Sequence, residues 1–109
     1  VYVMGFSQGA IMSYATGLTE PEKVRGIGVL SGKMYPEMKQ QVKSSPELQQ
    51  LRIFVSHGTA DNMIPYADGK DAVTWLQGMG LKPEFHTYNG MTHTISKEVT
   101  EDLKKWLGM

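Results

Sequence analysis

Apolar residues along this chain switch between two spacings, and the switches mark out alternating strands and helices. Val1-Tyr2-Val3-Met4 is a short, partly β-branched apolar run and reads as a strand. From Ser7 to about Leu18 the positions Ile11, Met12, Ala15 and Leu18 form a helical stripe, which Thr19-Glu20-Pro21-Glu22 ends. Gly26-Ile27-Gly28-Val29-Leu30-Ser31-Gly32 is apolar and closed by glycine, as expected of a strand buried on both faces of a parallel sheet. Its glycines predict close approach by a helix backbone.

Met34 to about Gln50 is polar, is interrupted by Pro36 and Pro46, and predicts a loop with one short helix, a candidate flap. Arg52-Ile53-Phe54-Val55-Ser56-His57-Gly58 is the third strand, and Thr59 to Pro65 is turn-rich. Ala67 to about Met79 predicts a helix with Ala72, Val73, Leu76 and Met79 on one face and Gly80 at its end. Pro83-Glu84-Phe85-His86-Thr87-Tyr88 alternates, giving a fourth strand with a more exposed face, followed by a loop over Asn89–Thr94. The last helix runs from about Ser96 to Leu107, with room for an N-cap at Ser96, Glu98 early, and Val99, Leu103, Trp106 and Leu107 inward.

Strand and helix in alternation imply an α/β domain with a parallel sheet. Right-handed crossovers lay its four strands side by side in sequence order. The 109 residues suffice for one domain and one core. Lys+Arg and Asp+Glu both total 11, so there is no basic footprint for nucleic acid. With no cysteine there is neither a disulfide nor a thiolate metal site, which is compatible with the cytoplasm, the expected location. No apolar run is long enough to span a membrane. The chain opens on Val1, already inside a strand, so it is expected to be the C-terminal portion of something larger.

Candidate chemistry starts at Gly5-Phe6-Ser7-Gln8-Gly9, a G-x-S-x-G run between a strand and a helix, the context of a nucleophile elbow. Gly5 and Gly9 are expected where a Cβ would collide across so sharp a turn. The turn lifts the Ser7 hydroxyl to a helix N-terminus, where the Gln8 N–H is a candidate oxyanion donor. A chance match in a chain this long is roughly a five per cent event, and Ser7 as a plain helix cap is the simpler alternative.

Ligands of a parallel sheet bind at the C-terminal ends of its strands. Ser7 follows the first strand, Asp61 the third and His93 the fourth. Nucleophile, acid, histidine is the order of the α/β-hydrolase triad. Taken singly, Asp61 reads as a turn former and His93 as an ordinary loop residue. Their joint order at strand ends argues for catalysis. His57 reads as support for the loop that holds Asp61, His86 as a residue on the exposed face of its strand, and Asp68 and Asp71 as solvated helix positions.

Gly5-Phe6-Ser7-Gln8-Gly9, Leu30-Ser31-Gly32, His57-Gly58-Thr59-Ala60-Asp61 with Ile64-Pro65, and Gly90-Met91-Thr92-His93-Thr94-Ile95 together resemble the phospholipase/carboxylesterase family of α/β-hydrolase serine esterases. The resemblance covers essentially the whole chain. It implies Ser7 as nucleophile, Asp61 as acid, His93 as base, no cofactor and no metal. The substrates it implies are small esters, short-chain or activated, with lysophospholipids and thioesters also in the family's range.

The family's first half, with the loop that gives the second oxyanion donor, matches nothing here, so a truncated α/β hydrolase with weak turnover is expected. One lost donor costs about 10²–10³ in rate. An uncovered first strand predicts a homodimer, a higher oligomer or aggregation through Val1–Met4. A non-catalytic remnant or interaction domain is the alternative from another class, and a serine peptidase shares the triad. Phe6, Tyr35, Met63, Tyr66 and Met91 are candidates for an acyl pocket or for core packing.

Overall fold

The computed structural model describes residues 1–109. Its elements are β1 (Tyr2–Phe6), α1 (Gln8–Thr19), β2 (Gly26–Leu30), α2 (Pro36–Gln40), α3 (Pro46–Gln49), β3 (Arg52–Gly58), α4 (Tyr66–Gly78), β4 (Glu84–Tyr88) and α5 (Lys97–Leu107). The four strands form one sheet in the order β1-β2-β3-β4, and every pairing is parallel. The expected topology is therefore the observed one, with element ends displaced by a few residues. β1 runs on to Phe6 and delivers the chain straight into the turn at Ser7.

Alternation along the strands sends side chains to two cores. Ile27, Val29, Ile53 and Val55 pack under α1 and α4 in the larger cluster, with Tyr14, Leu18, Leu48 and Leu76. Each of the fully buried leucines there contributes about 1.5–3 kcal/mol. Leu30, Phe54 and Tyr88 point to the opposite face, where Val99 and Trp106 of α5 cover them. α5 is capped by Ser96, whose Oγ accepts from the Val99 N–H at 3.3 Å. Gly108, at φ 86°, closes its C-terminus. At the other end of the sheet, the Arg52 guanidinium donates to the Tyr2 hydroxyl at 2.6 Å and to the Trp106 carbonyl, tying β1, β3 and α5 together.

Three expectations are corrected. Met12 is 63% exposed and outside the packed stripe of α1, because that stripe runs through Ser13, Tyr14 and Gly17. Gly17 is there to let the helix settle on β2: a Cβ would fall 2.4 Å from the Ile27 side chain. Met34–Gln50 contains two short helices, each started by proline, and Met34 and Leu48 bury themselves in the larger core, so this is packed structure and not a loose flap. Of the two readings open for Tyr66, packing is the one observed, its ring 6.0 Å from Phe85 and its hydroxyl bonded to Thr87 Oγ1 at 2.7 Å. His86 is half-buried on the α5 side, stacked 5.0 Å from Phe54 and hydrogen-bonded to Glu84 at 2.7 Å.

Candidate active site

β1 ends one residue before Ser7, and α1 begins one residue after it. Reversal in so little chain forces Ser7 to φ 60° and ψ −115°, where L-residues rarely sit. The turn is held from the sheet, because the Ser7 N–H donates to the Leu30 carbonyl at 3.0 Å. Gly5 is obligatory here: a Cβ would lie 2.2 Å from the backbone of Gly9. Gly9 itself has open space where a Cβ would go, so the second glycine of the motif is not required by contacts within this chain.

Ser7 makes no side-chain cap bond to α1. Its Oγ lies instead 2.8 Å from His93 Nε2. His93 Nδ1 in turn lies 2.8 Å from Asp61 Oδ2. An ionised carboxylate only accepts, so Nδ1 carries the proton and donates it, which leaves Nε2 as the acceptor for the Ser7 hydroxyl. The three residues singled out from strand ends thus meet in one hydrogen-bonded chain. The Gln8 N–H belongs to the first turn of α1, where the helix offers it no acceptor.

Asp61 is the most constrained of the three. Its side chain is 0% exposed, and Oδ1 accepts from the backbone N–H of Met63 and of Ile64, both at 2.9 Å. Burial works against its ionisation. The bond from His93 and the N–H bonds of Ile64 and Met63 outweigh that and hold the carboxyl below its usual range. His93 sits in the loop after β4, its ring 4.7 Å from that of Phe6. That loop can lie close to β3 because Gly58 has no side chain: a Cβ would fall 2.1 Å from the Met91 carbonyl oxygen.

Of the other pocket candidates, Met63 is 71% exposed, Met91 packs against the α5 cluster, and Tyr35 is partly exposed. Tyr35 closes one side of a shallow, mainly apolar hollow of about 220 Å³ with Gln8, Ile11 and Met12. The largest cavity, about 570 Å³ among Arg52, Lys82, Glu84 and Trp106, opens at the N-terminal ends of β3 and β4, remote from Ser7. Ser31 and Ser56 are buried with Oγ atoms that have no partner, a feature that nothing in an apolar run of the sequence marks.

Three comparisons bear on this geometry. The chain is 36% identical over 107 residues to a probable carboxylesterase of Oryza sativa subsp. japonica, an alignment covering 98% of this chain and 40% of the relative. It is 36% identical over 111 residues to an acyl-protein thioesterase 1 of Mycosarcoma maydis, covering 98% and 46%. Its fold matches the crystal structure of Arabidopsis thaliana SOBER1 with a TM-score of 0.87 and 31% identity, over 99% of this chain and 51% of that one. The chain therefore spans about half the length of the relatives it matches. The sheet is that of an α/β hydrolase, and relatives named carboxylesterase and thioesterase are in keeping with ester chemistry. The model of the Phospholipase/Carboxylesterase family matches residues 1–109 from end to end, and the chain belongs to that family.

Proposed function

We propose that this chain carries the catalytic residues of a serine carboxylesterase acting on short-chain or activated esters. The observation that supports this reading is the hydrogen-bonded chain from Ser7 through His93 to Asp61, with both links at 2.8 Å. His93 Nε2 takes the Ser7 proton as Oγ attacks the ester carbonyl carbon, and the carbonyl oxygen becomes an oxyanion beside the Gln8 N–H. Asp61 keeps the proton on Nδ1 and stabilises the imidazolium. His93 then protonates the departing alcohol, leaving an acyl group on Ser7. Water, deprotonated by His93, attacks the acyl carbon, and Ser7 leaves with the proton returned to it.

In this reading residues 1–109 are the C-terminal portion of a hydrolase, and the family's second oxyanion donor comes from outside them. Turnover by these residues alone is therefore about 10²–10³ lower than with both donors. Within residues 1–109 β1 has one strand neighbour, and Met4 is 41% exposed, so these residues taken alone are expected to self-associate along that edge. Gel filtration giving a monomer at micromolar concentration would remove that part of it.

The test is hydrolysis of p-nitrophenyl acetate by the chain and by Ser7→Ala. A rate abolished by the substitution supports the esterase. Equal rates leave a non-catalytic remnant of the fold.

A further inference from the structure

His57 takes no part in the Ser7–His93–Asp61 chain, yet it stands directly against Asp61. It lies near the end of β3 and is fully buried. Its Nε2 is 2.7 Å from the carbonyl oxygen of Ile64. A carbonyl only accepts, so Nε2 carries a proton and donates it. The bond to Ile64 therefore fixes the ring by its Nε2–H, and Nδ1 faces the interior without a partner. Its position is fixed from above by α4: Gly69 packs so close that a Cβ there would fall 2.3 Å from Nδ1. The Tyr66 ring stands nearly edge-on, with centroids 6.0 Å apart.

This ring reaches Asp61 by two routes. Ile64 accepts from His57 through its carbonyl and donates its own N–H to Asp61 Oδ1 at 2.9 Å, so one residue is clamped between the two side chains. His57 Nε2 is also 3.5 Å from Asp61 Oδ2, the oxygen that accepts from His93. The titratable groups around the ring are Asp61 across the turn, His93 beyond Oδ2, and Tyr66 from α4.

We infer that His57 is a positioning residue: its Nε2–H, directed at the Ile64 carbonyl and shared toward Asp61 Oδ2, sets the 61–64 turn and the angle at which Asp61 meets His93. The placement is read from geometry, and only its effect on rate rests on the esterase reading above. Removing the N–H takes a donor from the field of Oδ2. Asp61 also loses its fixed orientation, so kcat falls about 10²-fold while KM changes little.

The experiment compares wild type, His57→Phe and His57→Gln on p-nitrophenyl acetate across pH, with nitrogen–proton NMR of the imidazoles in wild type and in Asp61→Asn. The expected result is a loss confined to kcat in His57→Phe, and its recovery toward wild type in His57→Gln, whose amide N–H can still donate. A His57→Gln no better than His57→Phe, or a loss that falls on KM, overturns the inference in favour of simple packing. Should His57→Phe not fold, or should wild type prove no faster than Ser7→Ala, the spectra decide. The expected His57 carries a proton on Nε2, and its resonance moves in Asp61→Asn. A His57 that carries its only proton on Nδ1, or is blind to Asp61→Asn, contradicts the proposal.

Discussion

Asp61 and His93 are bonded to each other, yet the fold holds them in opposite ways. Asp61 is sealed from solvent, takes two backbone N–H bonds on one oxygen, and stands on a turn that His57 holds through Ile64. His93 rides on a largely exposed loop between β4 and α5. That loop is tied mainly at its start, where the Met91 carbonyl accepts from the Ala60 N–H at 3.0 Å and the Gly90 N–H donates to Thr59 Oγ1 at 2.8 Å. The ring itself is oriented by Ser7, Asp61 and Phe6. The acid is thus built into the core, while the base, which in the proposed mechanism accepts and releases a proton twice per turnover, is carried on the less supported segment. Rigid acid and tethered base give separate ways to damage the site, through orientation or through the loop.

Asp61→Asn attacks orientation alone, and carries the largest expected effect. An asparagine oxygen can still accept from Met63 and Ile64, so the turn survives, but its amide offers His93 Nδ1 the wrong partner. We expect kcat on p-nitrophenyl acetate to fall about 10⁴-fold with little change in the far-ultraviolet spectrum. A loss under about tenfold would mean that Asp61 does not set the tautomer.

Gly58→Ala attacks the loop. Its new Cβ meets the Met91 carbonyl, the loop must move, and kcat should drop about 10²-fold while Asp61 keeps its own bonds. Unchanged activity would show that the loop reaches the working geometry without its seat on β3.

Acid should separate the two regions as well. Asp61 is held below the usual carboxylate range when folded, so the unfolded chain binds the extra proton first. Its stabilising contribution is full above the unfolded value of about 3.9 and is lost as pH falls through the lower folded value. Thermal unfolding of wild type and Asp61→Asn across this window should converge at the acid end. Parallel curves throughout would deny the link.

The smallest effect is the most selective. Ser96→Ala removes the cap of α5, beyond the His93 loop, and should cost about 1 kcal/mol of stability with kcat nearly unaltered. A large loss of kcat would show that the far end of the loop also steers His93.

Much of this contrast was legible in the chain. β-branched and glycine-closed runs gave four strands in the observed order, and the position of Ser7, Asp61 and His93 after strand ends brought them to the C-terminal end of the sheet. Expectations failed where contact outweighs pattern. Met12 fits a helical stripe by hydropathy, but α1 approaches β2 through Ser13 and Gly17, small residues that a hydrophobic pattern passes over. Met34–Gln50 lacks periodicity because its two helices are each barely a turn, and burial there falls on isolated residues such as Leu48. Gly9 matches the motif although nothing in this chain crowds it. His57 could be named as a support for Asp61, but its tautomer depends on Ile64 and Gly69, contacts that only the fold supplies.

The central claim is that Ser7 is a nucleophile activated through His93 and Asp61. Intact-mass measurement after exposure to a fluorophosphonate tests it most directly, because phosphonylation needs an activated oxygen but no turnover. A single adduct mapped to Ser7, absent in Ser7→Ala and strongly slowed in Asp61→Asn, is the predicted result. No adduct on the folded wild-type chain, or labelling equally fast in Asp61→Asn, would contradict it.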